Sequence, residues 1–332
     1  MHSFNENFKR WIAVGGDIGS QKVSKAISSY LSCNELSLNS DGNHSFHHWI
    51  RFFKNNNILG LFCGTSQSDK GLQFERNLRI AAFRLGLPII CIEDFPGNYN
   101  DVNETETSIL IVENEFSLRL YKNRGIRVPI FLIFPSIRYD YLRSNIGEVS
   151  AKCLNHSVLW AGQPEFQYNF NSLMRIAPKL KELSLTLMFR AHPGDIEYHN
   201  GTYAKYFNAL NLSWLDVTNK PIEPDLFQNI SLVITQFSSL GIEAGFYGVP
   251  TVNVLYKDAG LKLLREKTGS DELMTVKHNA SFLINDEESL ENLEFFFKDL
   301  SLRTEVIRNF KELYKANEKQ LPKLFSTIKD II

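Results

Sequence analysis

Residues 231–255 read SLVITQFSSLGIEAGFYGVPTVNVL, a sequence that predicts a strand, a polar turn, a short helix and a second strand. The β-branched apolar run at 231–234 is typical of a buried strand. Ser238 and Ser239 follow it where a helix would begin and need a cap. Gly248, with a proline two residues later, ends that helix before another apolar run. A βαβ unit of this kind indicates a parallel sheet covered by helices.

The beginning of the predicted helix is the part of this stretch that could bind a ligand. A helix start presents backbone N–H groups and the positive end of the helix dipole, and two adjacent hydroxyls add further donors. An anion site and an ordinary serine-capped turn both fit these residues. What favours the anion site is the set of polar residues that accompanies the stretch elsewhere in the chain.

The length of the chain predicts more than one domain. At 332 residues it is longer than a single hydrophobic core usually supports. We predict a first domain over residues 1–150, a second over 151–300 and a helical tail over 301–332. The polar, irregular segment 144–156 supplies the boundary between the two domains.

Composition argues against several classes of function. With a net charge of −1, the chain has no overall attraction for nucleic acid or an acidic membrane. The first ten residues lack the apolar core of a signal peptide, and no apolar run reaches the length of a membrane span. We therefore expect a cytoplasmic protein, with peripheral contact at the inner face of the cytoplasmic membrane left open. The separated cysteines Cys33, Cys63, Cys91 and Cys153 support neither a disulfide framework nor a zinc site.

Short apolar runs alternate with helical spacing through both halves of the chain. This predicts an α/β protein with two doubly wound, Rossmann-like parallel sheets in tandem, in which ligands bind beyond the carboxyl ends of the strands. The glycine spacing at 15–19 differs from the dinucleotide fingerprint, which argues against a nicotinamide site. In the first half, the residues that follow predicted strands are Gly15, Gly16, Asp17, Thr65, Ser66, Glu93 and Asp94.

A second polar set follows the strands of the second half. Arg190 and His192 can donate hydrogen bonds to a phosphate, and the helix start after Ser238 adds more. Glu243, one turn into that helix, can accept from ribose hydroxyls. A structural His-Pro turn and a surface ion pair of the arginine are the alternative interpretations. The complete set is Gly162, Gln163, Arg190, His192, Ser238, Ser239 and Glu243.

Two aspartates compete for the role of general base. Asp94 ends a buried strand beside a second carboxylate, and burial with a neighbouring charge raises a carboxyl pKa toward a useful value. Asp17 lies in the glycine-rich loop predicted at the same edge of the sheet, and a capping or loop role remains the alternative for Asp94. A metal is not expected, because His44, His47 and His48 have no supporting ligand at metal-binding spacing.

The motifs of the second half resemble those of GT-B glycosyltransferases that build bacterial surface polysaccharides: sialyltransferases, Kdo transferases and teichoic-acid polyol-phosphate transferases. These families share a His-Pro motif and a later Ser-Ser motif, which here read RAHPGD at 190–195 and TQFSSLGIEAGFYGVP at 235–250. The sialyltransferases add an acidic D/E-D/E-G motif whose aspartate is the base. EDFPG at 93–97 resembles it with two residues inserted before the glycine, so the match leaves both Asp94 and Asp17 open.

This resemblance covers roughly residues 10–320 and implies two domains that face each other across a cleft, with C-terminal helices that cross back to the first domain. It implies a metal-independent, inverting glycosyltransferase without a cofactor. The enzyme would move a sugar, such as CMP-linked Kdo or sialic acid, from a nucleotide donor to a glycan or glycolipid hydroxyl. Asp94 would be the base, and His192 with Ser238 and Ser239 would hold the leaving phosphate. A nucleotide-sugar epimerase or hydrolase, a polyol-phosphate transferase and a non-catalytic binding module are the alternatives.

Overall fold

The computed structural model describes residues 8–102, 105–134, 137–139, 142, 156–222, 224–314 and 320–332. The chain divides into two compact units. The first comprises Met1–Ser144 and Ala316–Ile332, and the second comprises Asn145–Lys315. The predicted boundary segment, 144–156, lies outside the described residues except for its last residue. The predicted tail at 301–332 is shared between the units, because its first helix belongs to the second unit and its last helix to the first.

The first unit is an alternation of short strands and helices. Its elements are β1 (Trp11–Gly15), α1 (Ile18–Leu31), β2 (Asn34–Ser37), α2 (Leu38–Asp41), α3 (Phe46–Asn55), β3 (Gly60–Cys63), α4 (Asp69–Arg84), β4 (Ile89–Ile92), β5 (Ile109–Val112), α5 (Glu115–Asn123), β6 (Ile130–Ile133) and a 3₁₀ helix at Ile137–Tyr139. The strands pair in parallel in the order β2-β1-β3-β4-β5-β6. The direction of winding reverses between β1 and β3, which is where ligands of doubly wound sheets bind.

Helices cover both faces of the first sheet. The central strands are apolar on both faces and buried throughout, as parallel strands between helix layers require. Trp49 of α3 and Phe74 of α4 pack on one face. Val23 and Ile27 of α1 pack on the other face, beside residues from the end of the chain.

The second unit repeats this architecture. Its elements are β7 (Ser157–Ala161), α6 (Phe166–Glu182), β8 (Thr186–Arg190), α7 (Ile196–His199), α8 (Thr202–Leu210), β9 (Trp214–Asp216), α9 (Pro224–Gln228), β10 (Leu232–Thr235), α10 (Ser239–Phe246), β11 (Thr251–Val254), α11 (Gly260–Thr268), α12 (Met274–Lys277), β12 (Phe282–Ile284), α13 (Glu287–Glu291), α14 (Leu293–Lys298) and α15 (Leu300–Leu313). The parallel order β12-β11-β10-β7-β8-β9 is that of a Rossmann sheet, and its winding reverses between β7 and β10.

The last helix, α16 (Gln320–Ile331), belongs to the first unit. Phe325 is fully buried and lies 5.8 Å from the ring of Phe8 and 5.8 Å from that of Phe62. Pro322 lies in the first turn of α16, where a helix tolerates proline because its N–H has no partner within the helix. The predicted α/β class, the two parallel sheets and the helical C-terminal end are therefore confirmed.

Several helices and strands were not predicted from the sequence. β2 is an edge strand, two of whose four residues are exposed, so it lacks the apolar run by which buried strands are recognised. α7, α8 and α11 follow polar loops and were not predicted.

Candidate functional site

Two loops meet at the reversal point of the first sheet, one after β1 and one after β3. Gly15, the last residue of β1, and Gly16 after it do not have a positive φ. A Cβ on Gly16 would lie 2.4 Å from the carbonyl oxygen of Gly71 in α4, and one on Gly15 would lie 2.5 Å from the amide nitrogen of Gln21. These glycines therefore bring segments of protein backbone together.

Asp17 caps helix α1. Its Oδ1 accepts the amide of Ser20 at 3.1 Å, and its Oδ2 accepts the amide of Gln67, in the loop after β3, at 2.8 Å. The amide of Asp17 itself donates to Ser66 Oγ at 2.9 Å. Because both carboxylate oxygens already accept backbone N–H groups, this geometry favours a positioning role for Asp17 over that of the base.

Glu75 of α4, which the sequence did not single out, lies beneath both loops. Its side chain is buried, and Oε1 accepts the amide of Gly16 at 3.0 Å. Oε2 accepts the amide of Ser66 at 2.9 Å, and Ser66 Oγ also donates to Oε1. Burial raises the pKa of Glu75 to about 7, against the lowering effect of these hydrogen bonds. The only sequence signal was an acid four residues after Gly71 in a helix with an apolar face.

Asp94 follows β4 and is buried at 5% exposure. Its Oδ1 accepts the Thr65 hydroxyl at 2.7 Å and the Asn98 amide group at 3.1 Å, while its backbone amide donates to Thr65 Oγ1 at 3.1 Å. Burial raises the pKa of Asp94 to about 6, and the charge of Asp17 adds to that rise. A carboxyl group that loses its proton near this pH is suited to accept a proton at neutral pH.

The second oxygen of Asp94 lies against the start of helix α1. A Cβ on Gly19 would be only 2.2 Å from Asp94 Oδ2, so the carboxylate can occupy this place only because residue 19 is glycine. Arg138 approaches from the 3₁₀ helix, with Nη1 3.5 Å from the carbonyl oxygen of Asp94. Its positive charge is the largest influence that lowers the pKa of Asp94. The sequence suggested neither Gly19 nor Arg138 as a neighbour of the base.

Glu93, beside Asp94, points into the protein interior. Its carboxylate accepts the amide of Gly97 at 2.8 Å, the amide of Glu113 at 2.9 Å and the hydroxyl of Tyr121 at 2.7 Å. Burial raises the pKa of Glu93 to about 7. These bonds shape the loop after β4, so Glu93 supports this loop, whereas Asp94 lies against the start of α1.

In the second unit, Thr235 links the two strands that flank the reversal point. Its hydroxyl donates to the carbonyl of Ala161, at the end of β7, at 2.7 Å and accepts the amide of Ser238 at 3.0 Å. Gln236, fully buried, donates to the carbonyl of Tyr168 at 2.8 Å and to Ser172 Oγ at 2.9 Å. The loop that leads to α10 is thereby fixed to β7 and α6.

Ser238 caps helix α10, as the sequence predicted. Its Oγ accepts the amide of Leu240 at 3.3 Å, and its carbonyl accepts the amide of Gly241 at 3.0 Å. Ser239 is the first helical residue and, like Ser238, is half-buried. The two hydroxyls therefore lie at the helix start, the position expected for anion binding.

The His-Pro motif forms a tight turn after β8. The amide of Gly194 donates to His192 Nδ1 at 3.0 Å, which assigns the ring proton of the neutral imidazole to Nε2. The amide of Asp195 donates to the carbonyl of His192 at 2.9 Å. The bond from Gly194 holds the imidazole against the turn, and the side chain is exposed.

Buried side chains that the sequence did not single out connect this turn to the loop after β7. Asp195 accepts the hydroxyl of Tyr203 and lies 3.5 Å from Asn169 Nδ2. Asn169, 1% exposed, also bonds both the amide and the carbonyl of Gln163. Gly162 completes the link, because its amide donates to the carbonyl of Arg190 at 3.0 Å. The Nε2 of Gln163 is a buried donor without a hydrogen-bond partner among the described residues.

Arg190 and Glu243 have surroundings that the sequence did not suggest. Nη1 of Arg190 donates to the carbonyl of Val217 at 2.9 Å and to that of Lys220 at 2.6 Å, so this nitrogen holds the loop after β9. Burial lowers the pKa of Arg190, and the charge of Glu243 opposes that effect. Glu243 is 4% exposed, which limits its reach toward a ribose.

Neither a metal cluster nor a membrane span is found in the part of the chain that the structure describes. No group of three or more histidine, cysteine or acidic side chains there is arranged to hold a metal ion. No helix in those ranges combines the length and the apolar character that crossing a bilayer requires. The described cysteines, Cys33, Cys63 and Cys91, are free and buried.

Solved structures with the same two-sheet architecture are known, although no protein-family model and no curated protein sequence matches the chain. The S. aureus protein MnaA, solved with UDP, is 11% identical, with a TM-score of 0.63 and 97% of each chain covered. A glycosyltransferase from Rickettsia africae is 12% identical, with a TM-score of 0.61 over 97% of this chain and 98% of the other. The UDP-GlcNAc 2-epimerase of Neisseria meningitidis, bound to UDP-GlcNAc, is 11% identical, with a TM-score of 0.58 over 95% and 99%. The architecture is therefore that of the GT-B fold.

Proposed function

We propose that the protein is a nucleotide-sugar-dependent glycosyltransferase in which Asp94 is the general base. The observation that carries this proposal is the environment of Asp94: a buried carboxyl group beyond the carboxyl end of β4, with a pKa of about 6. Its Oδ1 is fixed by Thr65 and Asn98, which orients the carboxylate without neutralising it. A base of this pKa is mostly ionised at pH 7 and can accept a proton from a sugar hydroxyl.

The reaction is a direct displacement at the anomeric carbon. Asp94 removes the proton of the acceptor hydroxyl, and the acceptor oxygen forms a bond to that carbon as the bond to the donor phosphate breaks. The electron pair of the broken bond leaves with the phosphate, and the configuration at the anomeric carbon inverts. A single base suffices for this step, and the proposal includes no metal ion.

The leaving phosphate is assigned to the His-Pro turn and the start of α10. The Nε2–H of His192 is the donor that the turn presents, because Nδ1 accepts from Gly194. Ser238, Ser239 and the positive end of the α10 dipole add further stabilisation of negative charge. Donors positioned at developing charge are commonly the largest contribution to catalysis.

The donor nucleotide is the finer part of the proposal. The sequence resemblance favours a CMP-linked acidic sugar such as Kdo or sialic acid, transferred to a glycan or glycolipid hydroxyl in surface polysaccharide synthesis. Two of the similar solved structures hold UDP and UDP-GlcNAc, which makes a UDP-sugar the competing donor.

A nucleotide screen followed by a transfer assay tests this function. Thermal unfolding is measured with CMP, CDP, UDP and GDP, and a ligand present at a hundred times its Kd stabilises the fold by about 2.7 kcal/mol. The sugar donors of the stabilising nucleotide are then incubated with a glycan panel, with and without EDTA. We expect acceptor-dependent release of the nucleotide that EDTA leaves unchanged, and an inverted anomeric configuration by NMR. No stabilisation by any nucleotide and no transfer with any donor would contradict the proposal and favour a glycan-binding module.

A nucleotide-sugar epimerase is the second candidate, and the structural similarity to the N. meningitidis epimerase supports it. An epimerase acts on the donor without an acceptor. Incubation of UDP-GlcNAc alone, followed by NMR, separates the two functions: an epimer or free sugar at a rate that no acceptor changes would replace glycosyl transfer as the assignment.

A further inference from the structure

Glu75 is a buried carboxylate with no part in the transfer chemistry described above. It is 4% exposed and extends from α4 to the two loops at the reversal point of the first sheet. Three donors converge on its two oxygens. The Gly16 amide lies 3.0 Å from Oε1, the Ser66 hydroxyl 2.5 Å from the same oxygen, and the Ser66 amide 2.9 Å from Oε2.

The packing of α4 explains how this carboxylate reaches both loops. The backbone of Gly71, in the first turn of α4, lies so close to Gly16 that a Cβ on Gly16 would clash with the Gly71 carbonyl oxygen at 2.4 Å, and a Cβ on Gly71 would lie 3.0 Å from the Gly16 carbonyl carbon. Glu75 follows Gly71 by four residues, so it lies on the same face of the helix, one turn further along. The contact between the two glycines therefore sets Glu75 directly beneath the loops.

The two loops that Glu75 holds are the same two that place Asp94. Thr65, which precedes Ser66, donates to Asp94 Oδ1 at 2.7 Å. Asp17, which follows Gly16, caps the helix whose Gly19 lies against Asp94 Oδ2. The two residues that bond to Glu75, Ser66 and Gly16, are therefore the chain neighbours of Thr65 and Asp17. A change in the bonds of Glu75 acts directly beside these two supports of Asp94.

The groups that face Glu75 set its ionisation near neutral pH. Burial raises its pKa to about 7, its bonds to Ser66 and Gly16 lower it, and the charge of Asp17 raises it. On β3, the charge of Glu75 contributes to the raised pKa of Cys63. From α3, the apolar Trp49 packs against α4 at Phe74, 5.9 Å between ring centroids. Arg79, one turn further along α4, donates to Asn100, Tyr99 and Thr107.

We propose that Glu75 is a positioning residue whose charged carboxylate holds the loops after β1 and β3 around Asp94, and whose protonation releases them. A charged carboxylate accepts all three hydrogen bonds, whereas a protonated one carries a donor of its own and cannot accept all three in the same geometry. The expected effect on the rate of sugar transfer rests on the proposed function of Asp94. The expected effect on the two loops does not depend on that function.

Amide NMR of the full chain tests the structural part directly. The resonances of the Gly16 and Ser66 amides are followed from pH 5.5 to 8.5. We expect both to shift with one shared midpoint near the pKa of Glu75, about 7, and to lose this transition in Glu75→Gln. Glu115→Gln, an exposed acid in the first turn of α5, serves as the matched control and should leave the transition unchanged. Amides that do not titrate in the parent, or that titrate equally in Glu75→Gln, would overturn the assignment.

A second variant keeps the inference testable if Glu75→Gln does not fold. Ser66→Ala removes one donor to the charged carboxylate, so the midpoint of the Gly16 amide should move to higher pH. An unchanged midpoint would contradict the hydrogen-bonding role of Glu75.

Activity measurements separate this inference from the proposed function. Glu75→Gln should lower turnover about 10-fold or more through the displacement of Asp94 while leaving the nucleotide-induced thermal shift unchanged. Full turnover in Glu75→Gln, alongside a lost amide transition, would show that the loops move without affecting the base. If Asp94→Asn retains full activity, the proposed function fails while the amide result stands.

Discussion

The loops of the first unit are held largely by buried acids, whereas those of the second are held largely by hydroxyl and amide groups. Burial raises the pKa of Glu75 and Glu93 to about 7 and that of Asp94 to about 6. At the corresponding edge of the second sheet, Thr235 bonds the end of β7, and Asn169 of α6 bonds Gln163 in the loop after β7. Two sheets of similar topology thus present opposite chemistry. An edge with acids of raised pKa is suited to accept a proton, and one with a helix start and an imidazole N–H is suited to bind an anion.

The largest expected effect comes from removing the carboxylate of Asp94. Asp94→Asn should lower the transfer rate roughly 10²–10⁴-fold, the usual contribution of a general base. Nucleotide binding, measured by thermal shift, should stay at the parental value, because the proposal assigns the phosphate to the second unit. A variant as active as the parent would break the assignment of proton abstraction to the first unit.

On the side of the second unit, His192→Ala should lower turnover roughly 10²-fold or more, as the loss of a donor to a developing negative charge does. His199→Ala is the matched control, since His199 is also exposed and lies seven residues further along the chain in α7. Equal turnover in the two variants would contradict a role for His192 at the leaving phosphate. Circular dichroism should show that both remain folded.

A substitution next to the base changes its position without changing its chemistry. In Gly19→Ala, the new Cβ would lie 2.2 Å from Asp94 Oδ2, so the carboxylate must move. A displacement of about 1 Å can cost up to about 10²-fold in rate, and overpacking destabilises by about 1–3 kcal/mol. Turnover and the midpoint of thermal unfolding are both measured. Parental turnover would show that Asp94 does not need its place beside α1.

The smallest expected effects come from two threonines, one in each unit, that make equivalent hydrogen bonds. Thr65 and Thr235 each donate a hydroxyl proton at a strand end and accept one backbone amide. Each valine substitution should cost about 1–3 kcal/mol of stability, because an amide loses its acceptor. Thr65→Val should also raise the pKa of Asp94, since it removes a bond to the charged form, and so move the acid limb of activity to higher pH. An acid limb that moves equally in Thr235→Val would contradict the assignment of proton abstraction to the first unit and phosphate binding to the second.

The sequence alone predicted the features that depend on local sequence pattern. Ser238 as a cap, the strands with apolar runs and the polar residues after them all follow from rules that act over a few residues. The partners of those residues depend on distant parts of the chain. Glu75 is 59 positions from Gly16, and Tyr203 joins Asp195 through a turn that no periodicity reveals. Arg190 was placed correctly at a strand end, but the carbonyls of Val217 and Lys220 that it binds could not be read from the sequence.

The proposed roles of Asp17, Asp94, His192, Ser238 and Ser239 stay predictions, as does the cleft in which the two sets of residues were expected to meet. The geometry distinguishes the two candidates for the general base. Both oxygens of Asp17 accept backbone amides, whereas the contacts of Asp94 leave Oδ2 against Gly19. The choice between the two aspartates is therefore open to a direct experiment.

The pH dependence of transfer tests the central claim most directly. Asp94 must be charged to accept a proton, and its folded pKa is raised, so activity should be lost as the pH falls through that value. We predict that kcat/KM rises at least tenfold per pH unit at low pH and becomes constant above about pH 6 to 7, the range of the pKa values of Asp94 and Glu75. The residual activity of Asp94→Asn should lack the limb that Asp94 contributes. An identical acid limb in the parent and in Asp94→Asn would contradict the account.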